Sequence, residues 1–251
     1  MSFRFLIPLA LALALSAQDQ PARPTGTGIN FFNPDTEIAM GAQLAKAVLR
    51  DTNAFDSAPV QRYAARLGGQ LAAQAGGPNF PYSFTVVASK MGGPTHEPIA
   101  LPGGPIFISA DLILAAQNEA EFAGMLAHAV AHVAGRHYAR QMTRENLMQI
   151  GAIAASMSTN GPAGMAESQA DSLAVRTMSK AGYDPAALAA YIRRLQPAHA
   201  TGTPKIFSPM PAVEERVQAI EKAIANLPAQ TYTSGGDFQA IQDTVRSLTA
   251  K

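Results

Sequence analysis

The segment that begins at Asn118 constrains the fold of this chain more than any other. Asn118 and Glu121 are three residues apart, the spacing of a capping box, in which two side chains accept hydrogen bonds from free backbone N–H groups at a helix start. Apolar residues then recur at helical spacing from Met125 to Val133. We therefore predict a helix from residue 118 to about Arg140, and the candidate chemistry depends on this helix.

Two histidines lie inside this predicted helix. His128 and His132 are four residues apart, so both fall on one face, with their Cβ atoms about 5–6 Å apart. Two imidazoles at this spacing can bind one metal ion. The spacing alone is a weak signal, because pairs of this kind also arise by chance. The alternative is that both rings belong to the core and that no metal binds.

Glu167 and Asp171 form a second pair with the same spacing, on a later predicted helix beyond a Gly-Pro break at residues 161–162. Catalytic zinc sites use three protein ligands and leave a fourth position for water, so Glu167 completes such a set. Asp171, one turn further on, can accept a hydrogen bond from a ligating imidazole and fix its tautomer. The alternative for both residues is a solvated helix face.

Four blocks of the sequence can be compared with known families. They are NPDTEIAMG (33–41), ALPGG (100–104) followed by IFI (106–108), NEAEFAGMLAHAVAHVAGRH (118–137), and residues 167–171 followed by AGYDP (181–185). In this order they resemble metallopeptidase family forty-eight, the gluzincins that include the CaaX-prenyl and HtpX-like proteases. The first two blocks resemble the entry helix and the edge strand of that family, and the last two resemble its zinc helix and its third-ligand segment. The resemblance covers about residues 30–225.

The resemblance implies a zinc-dependent metalloendopeptidase with one Zn2+ per chain, held by His128, His132 and Glu167. By analogy its substrates would be misfolded or envelope proteins. The residue patterns themselves predict an α+β fold, mostly helical with a small sheet, and the resemblance places that sheet beside the active-site helix.

The resemblance also implies where a substrate binds. In the family, the strand near Leu101, Gly103 and Gly104 would pair with an extended or unfolded polypeptide, which adds a strand to the sheet edge. Pro102 in the same run favours an edge position, because proline cannot donate a hydrogen bond to a neighbouring strand.

The sequence departs from the family pattern at three places. The family reads His-Glu-x-x-His, and Ala129 stands where the glutamate would be. That glutamate accepts a proton from the attacking water and passes it to the leaving amine, which alanine cannot do. Gln169 replaces a second glutamate of the third-ligand block. Met210 replaces a histidine upstream of Arg216, and we take Met210 and Arg216 as candidate regulatory or transition-state positions.

Two explanations of Ala129 are open. The alanine is either an engineered replacement that traps an inactive enzyme, or a natural loss that makes the chain a pseudoprotease. A pseudoprotease of this kind would be a zinc-containing, peptide-binding or chaperone-like module. The retained ligands favour the first explanation, and the further departures at Gln169 and Met210 favour the second.

The N-terminus has the features of an export signal. Arg4 precedes an apolar run over residues 5–15, and small residues follow at Ser16 and Ala17. Eleven apolar residues are too few to cross about 30 Å of hydrocarbon as a helix, although an uncleaved anchor is the alternative. We therefore expect an exported protein, periplasmic or extracellular after cleavage, for which membrane association is not required.

The whole chain divides into four segments, of which one is a folded domain. We predict a signal peptide (1–17), a flexible linker (18–32), a metallopeptidase-like domain (33–226), and a tail with one helix (227–251). Further helices are predicted from 34, over 60–74, after 140 to 157, and over 166–180, 184–196, 212–226 and 237–248, with strands over 82–88 and 99–109.

Charge and cysteine content exclude some classes of protein. The chain has 19 basic and 18 acidic residues, so removal of residues 1–17, which hold only Arg4, leaves 18 of each. A neutral chain is a poor partner for nucleic acid, which needs a net basic face. The chain has no cysteine, so it forms no disulfide.

One other histidine lies close to the candidate ligands in sequence. His137 is five residues after His132, about 140° further around a continuous helix. On that geometry we predict that His137 faces away from the metal site and has no part in it.

Overall fold

The computed structural model describes residues 29–88, 96–149, 162–199, 213–233 and 236–250. Within these ranges the chain forms nine helices and one small sheet, which confirms the predicted α+β class. The elements are α1 (Pro34–Asp51), α2 (Ala58–Ala75), β1 (Ser83–Val87), β2 (Ile99–Ala100), β3 (Pro105–Ser109), α3 (Ala110–Ala115), α4 (Glu119–Ala134), α5 (His137–Gln149), α6 (Pro162–Lys180), α7 (Ala186–His199), α8 (Val213–Ala225) and α9 (Phe238–Thr249).

Two of the predicted helices begin at an asparagine that caps them. Asn33 precedes α1 and accepts a hydrogen bond of 2.8 Å from the backbone N–H of Thr36. Asn118 precedes α4 and accepts one of 2.9 Å from the N–H of Glu121, whose carboxylate accepts one of 2.8 Å from the N–H of Gln117. Side chains therefore satisfy the donors that a helix start leaves free.

Helix α4 lies at the centre of the domain. It packs most extensively against α6, and also against α2 and α7. A helix enclosed in this way needs apolar residues on every side, and α4 has them. Its largest fully buried apolar side chains are Phe122, Met125 and Leu126.

The sheet has the strand order β1-β3-β2. Strand β3 pairs with β1 in parallel and with β2 in antiparallel register. We predicted one broken strand at a sheet edge, and this holds for β2 but is wrong for β3, which is the central strand. The chain turns at Gly103 and Gly104, which have φ angles of 73° and 126°, so one apolar run supplies two neighbouring strands.

The predicted helix near the C-terminus packs into the domain core. The rings of Phe238 in α9 and Phe122 in α4 stack with centroids 5.4 Å apart. Gln242 is buried and donates hydrogen bonds to the carbonyls of Ile113 and Ala116, at 2.9 and 2.7 Å. Helix α9 therefore closes the end of the core formed by α2 and α3.

Helix α4 ends at Ala134, so the prediction of a continuous helix to Arg140 is wrong. Arg136 has a φ of 56°, a left-handed conformation that is uncommon for a residue other than glycine. Its Nε donates a 2.7 Å hydrogen bond to the buried carboxylate of Glu37 in α1. This long-range pair holds the corner, and α5 begins at His137 in a new direction.

Some predicted segments fall partly or wholly outside the described residues, including the signal peptide and the helix beyond residue 149. Helix α3 was not predicted, because six residues are too few for a periodic pattern to be recognised. In the part of the chain that is described, no helix has the length and apolar character needed to cross a membrane.

Candidate active site

Three predicted ligand residues meet between α4 and α6. The Nε2 atoms of His128 and His132 are 3.0 Å apart. The carboxylate oxygens of Glu167 lie 3.3 Å from Nε2 of His128 and 3.5 Å from Nε2 of His132. Ligand atoms around a tetrahedral zinc, each about 2.0–2.1 Å from the ion, are separated by about 3.3–3.4 Å. The donor types and spacing of this cluster therefore fit a zinc ion.

Asp171 and Arg216 lie behind the cluster. Nδ1 of His128 is 2.9 Å from Oδ1 of Asp171, so Nε2 of the same ring is left for a metal. Arg216, in α8, donates to both carboxylate oxygens of Asp171 at 2.9 and 2.8 Å. Both side chains are buried. A chain of contacts thus runs from α8 through α6 to α4, and it fixes the orientation of His128.

The electrostatics of the metal-free cluster favour a proton on His128. Burial lowers the pKa of His128, but the carboxylates of Asp171 and Glu167 outweigh this effect and raise it to about 10. Burial raises the pKa of Glu167 and of Asp171, and the nearby cationic side chains more than reverse this, so both pKa values lie below the ordinary range. A metal ion therefore has to displace a proton when it binds.

Ala129 is buried beside His128 on α4. Its methyl group can neither accept nor donate a proton. The nearest acids of the cluster, Glu167 and Asp171, already face His128 and Arg216. The cluster thus has side chains that could hold a metal ion, and it has no proton acceptor at the position where the family pattern places a glutamate.

The prediction that His137 faces away from the site is wrong. Its Nδ1 lies 3.2 Å from Nδ1 of His132, and the two rings meet edge to face with centroids 5.0 Å apart. The left-handed turn at Arg136 redirects the chain, so the rotation expected for a continuous helix does not apply. Burial lowers the pKa of His137 to about 3 and keeps the ring neutral.

A family model described as "Peptidase family M48" matches residues 59–165 and 159–224, which is more than half of the chain. The chain belongs to peptidase family M48. This confirms the resemblance seen in the sequence, and the family is one of metalloendopeptidases.

Curated relatives that are named as a protease or a metalloendopeptidase support the assignment. The chain is 22% identical over 258 residues to the "Beta-barrel assembly-enhancing protease" of Escherichia coli (strain K12), which covers 92% of this chain and 52% of that protein. The protein of the same name from Yersinia pestis is 23% identical, covering 89% of this chain and 51% of the relative. "Mitochondrial metalloendopeptidase OMA1" of Schizosaccharomyces pombe is 25% identical, covering 70% and 56%. This chain spans about half the length of these relatives.

The other predicted site residues lie in different parts of the fold. Leu101, Gly103 and Gly104 form the buried turn between β2 and β3. A Cβ on Gly103 would lie 2.4 Å from the Cα of Ile38, so this turn packs directly on α1. Arg216 joins the cluster through Asp171. Met210 lies outside the described residues.

Proposed function

We propose that this chain is an exported, zinc-dependent metalloendopeptidase scaffold for extended polypeptides, and that it is impaired because Ala129 replaces the general base. The observation that carries the proposal is the cluster of His128, His132 and Glu167, whose ligand atoms are 3.0–3.5 Å apart in a member of family M48.

The residues around the cluster have separate tasks in this proposal. His128, His132 and Glu167 hold the zinc ion, Asp171 orients His128, and Arg216 holds Asp171 in place. Zinc bound there would polarise the carbonyl of a peptide bond and lower the pKa of water. A base at position 129 would have taken up the proton of the attacking water and delivered it to the leaving amine.

The polypeptide substrate would bind along the edge of the small sheet. Strand β2 is one of the two outer strands of the sheet and is only half buried, whereas β3 is enclosed between β1 and β2. An extended peptide can therefore add to β2 through backbone hydrogen bonds. The turn formed by Leu101, Gly103 and Gly104 fixes the position of β2 against α1. Relatives named for β-barrel assembly support envelope proteins as the substrate class.

A second function is favoured by Ala129 itself. All three ligands and their supports are present while the base is absent, which is the arrangement of a module that binds zinc and peptide without cutting. Such a pseudoprotease would act as a peptide-binding or chaperone-like protein. A cleavage assay on a variant with the base restored separates the two functions.

The proposal of export rests on the first 17 residues, a predicted signal peptide. The mature protein would then comprise the linker (18–32), the metallopeptidase-like domain (33–226) and the segment 227–251. N-terminal sequencing of protein recovered from an exporting host tests this. A start after residue 16 or 17 supports export, and a retained Met1 in the membrane fraction contradicts it.

Metal analysis tests the core of the proposal. We expect about one zinc ion per chain, measured by mass spectrometry on protein purified from zinc-containing medium. The variant His132→Ala is the matched control and should lose the metal while it stays folded. Less than about a tenth of an equivalent in the folded parent protein would contradict the metal site.

A further inference from the structure

His137, at the corner between α4 and α5, is joined to the candidate metal site by its contact with His132. His132 can offer Nε2 to a metal, and its other nitrogen, Nδ1, lies 3.2 Å from Nδ1 of His137. A neutral imidazole that binds a metal through Nε2 carries its proton on Nδ1. That proton points towards His137 and needs an acceptor there, because His137 is buried and only 22% of the His132 side chain is exposed.

We propose that His137 is a positioning residue, which accepts the Nδ1 proton of His132 and thereby fixes the tautomer and ring orientation of this ligand. The inference rests on the proposed metal site and extends it to a residue outside the ligand set. His128 has Asp171 as its support, and His132 has His137. The two candidate ligands of α4 thus contact different chemical groups through their Nδ1 atoms.

Gly135 and Arg136, at the corner between α4 and α5, position the imidazole of His137. A Cβ on Gly135 would lie 2.4 Å from Nε2 of His137, so only glycine leaves room for the imidazole. Arg136 takes the left-handed conformation and is held by Glu37 and by the carbonyl of Phe32. The N-terminal part of the domain therefore determines where His137 lies.

In this role His137 is restricted to one tautomer. Its Nδ1 accepts, so its own proton is on Nε2, which has no hydrogen-bond partner among the described residues. A buried donor without a partner is costly, and it is retained here because the other nitrogen serves His132. A ring that was present only to fill the core would not need this orientation.

Two variants separate hydrogen bonding from packing. His137→Leu fills the space and offers no acceptor, whereas the side-chain oxygen of His137→Asn can replace Nδ1. Tyr138→Ala, on the exposed side of the same helix turn, is the control. Zinc affinity is measured by competition with a chromophoric chelator, and folding by circular dichroism.

We expect His137→Leu to weaken zinc binding by about 10–100-fold, His137→Asn to recover most of that loss, and Tyr138→Ala to match the parent. A folded His137→Leu protein with the parent's affinity would overturn the proposal. Equal losses in the leucine and asparagine variants would overturn it too, because packing would then explain both. If the parent protein binds no zinc, the proposed metal site is wrong, and the role of His137 in it is overturned as well.

Nitrogen-15 NMR of the zinc-loaded parent protein gives a test that needs no variant. We expect His132 to be protonated at Nδ1 and His137 at Nε2 only. A proton on Nδ1 of His137 would overturn the proposal, since that nitrogen could not then accept from His132.

Discussion

The guanidinium of Arg216 donates hydrogen bonds of 2.9 and 2.8 Å to the carboxylate of Asp171, and neither residue is more than 2% exposed. The pair joins α8 to α6 directly behind His128. A bidentate contact of this kind fixes both groups in direction as well as in distance. The orientation of one candidate ligand therefore depends on a residue 88 positions away in the sequence.

Arg216→Met should lower the free energy of unfolding by up to about 3–5 kcal/mol, because the buried carboxylate of Asp171 loses two hydrogen bonds and keeps only its contact with His128. Urea denaturation of the metal-free protein measures this loss. Arg193→Met is the matched control, since the Arg193 ion pair with Glu221 is exposed and its removal should have no measurable effect. Equal effects of the two substitutions would show that the buried pair is not important for stability.

Glu167→Ala should weaken zinc binding more than Asp171→Ala does. Glu167 supplies an oxygen to the cluster itself, whereas Asp171 acts through His128, and loss of such a support costs about 10–100-fold in metal affinity. Competition with a chelator ranks the two variants. If Asp171→Ala were the more damaging change, the third ligand would be wrongly assigned.

The stability of the metal-free protein should fall as the pH rises from about 6.5 to about 10. The pKa of His128 is raised from 6.5 to about 10 in the folded chain, so its stabilising contribution is complete below 6.5 and is lost as the pH passes through 10. Zinc affinity should rise over the same range, because fewer protons compete for the ring. His137 titrates below this range.

Urea denaturation at several pH values checks the predicted fall in stability, and zinc competition at the same pH values checks the predicted rise in affinity. His128→Asn should remove most of the fall in stability between pH 6.5 and 10. A metal-free parent protein whose stability is constant across this range would contradict the assigned surroundings of His128.

Two adjacent glycines in α2 should respond oppositely to alanine. A Cβ on Gly68 would lie 2.4 Å from the ring of Phe84, so Gly68→Ala should destabilise the fold by about 1–3 kcal/mol. No atom lies within 4 Å of a Cβ on Gly69, and alanine there should stabilise the helix by up to about 1 kcal/mol. Thermal unfolding of the two variants measures both changes. A stabilising Gly68→Ala would mean that α2 does not approach β1 as closely as described.

Local signals predicted much of the fold. The caps at Asn33 and Asn118 act within four residues, and the spacing of His128 and His132 fixes their common face whatever surrounds the helix. The meeting of Glu167 with this pair depends on packing between α4 and α6, which spacing alone does not determine. The family resemblance supplied that part of the prediction.

His137 was missed because its position depends on a contact between distant parts of the chain. A left-handed Arg136 has no distinct sequence signal, and it is held by Glu37, which lies 99 residues earlier. Gly135 was the available sign of a helix end, since glycine often terminates helices. The arrangement of β2 and β3 was missed in part for a similar reason, because pairing across a sheet is not a local property.

The activity of Ala129→Glu tests the proposed site most directly. The proposed site is complete except for a placed proton acceptor, whose effect is typically about 10²–10⁴-fold in rate. Digestion of casein by the parent protein, by Ala129→Glu and by the matched control Ala129→Gln, each with and without chelator, measures it. We predict that only Ala129→Glu cleaves at least about 100-fold faster than the parent, and that chelator abolishes the gain. An Ala129→Glu protein that is folded and holds zinc but cleaves no faster than the parent would contradict the proposed peptidase site and favour the pseudoprotease.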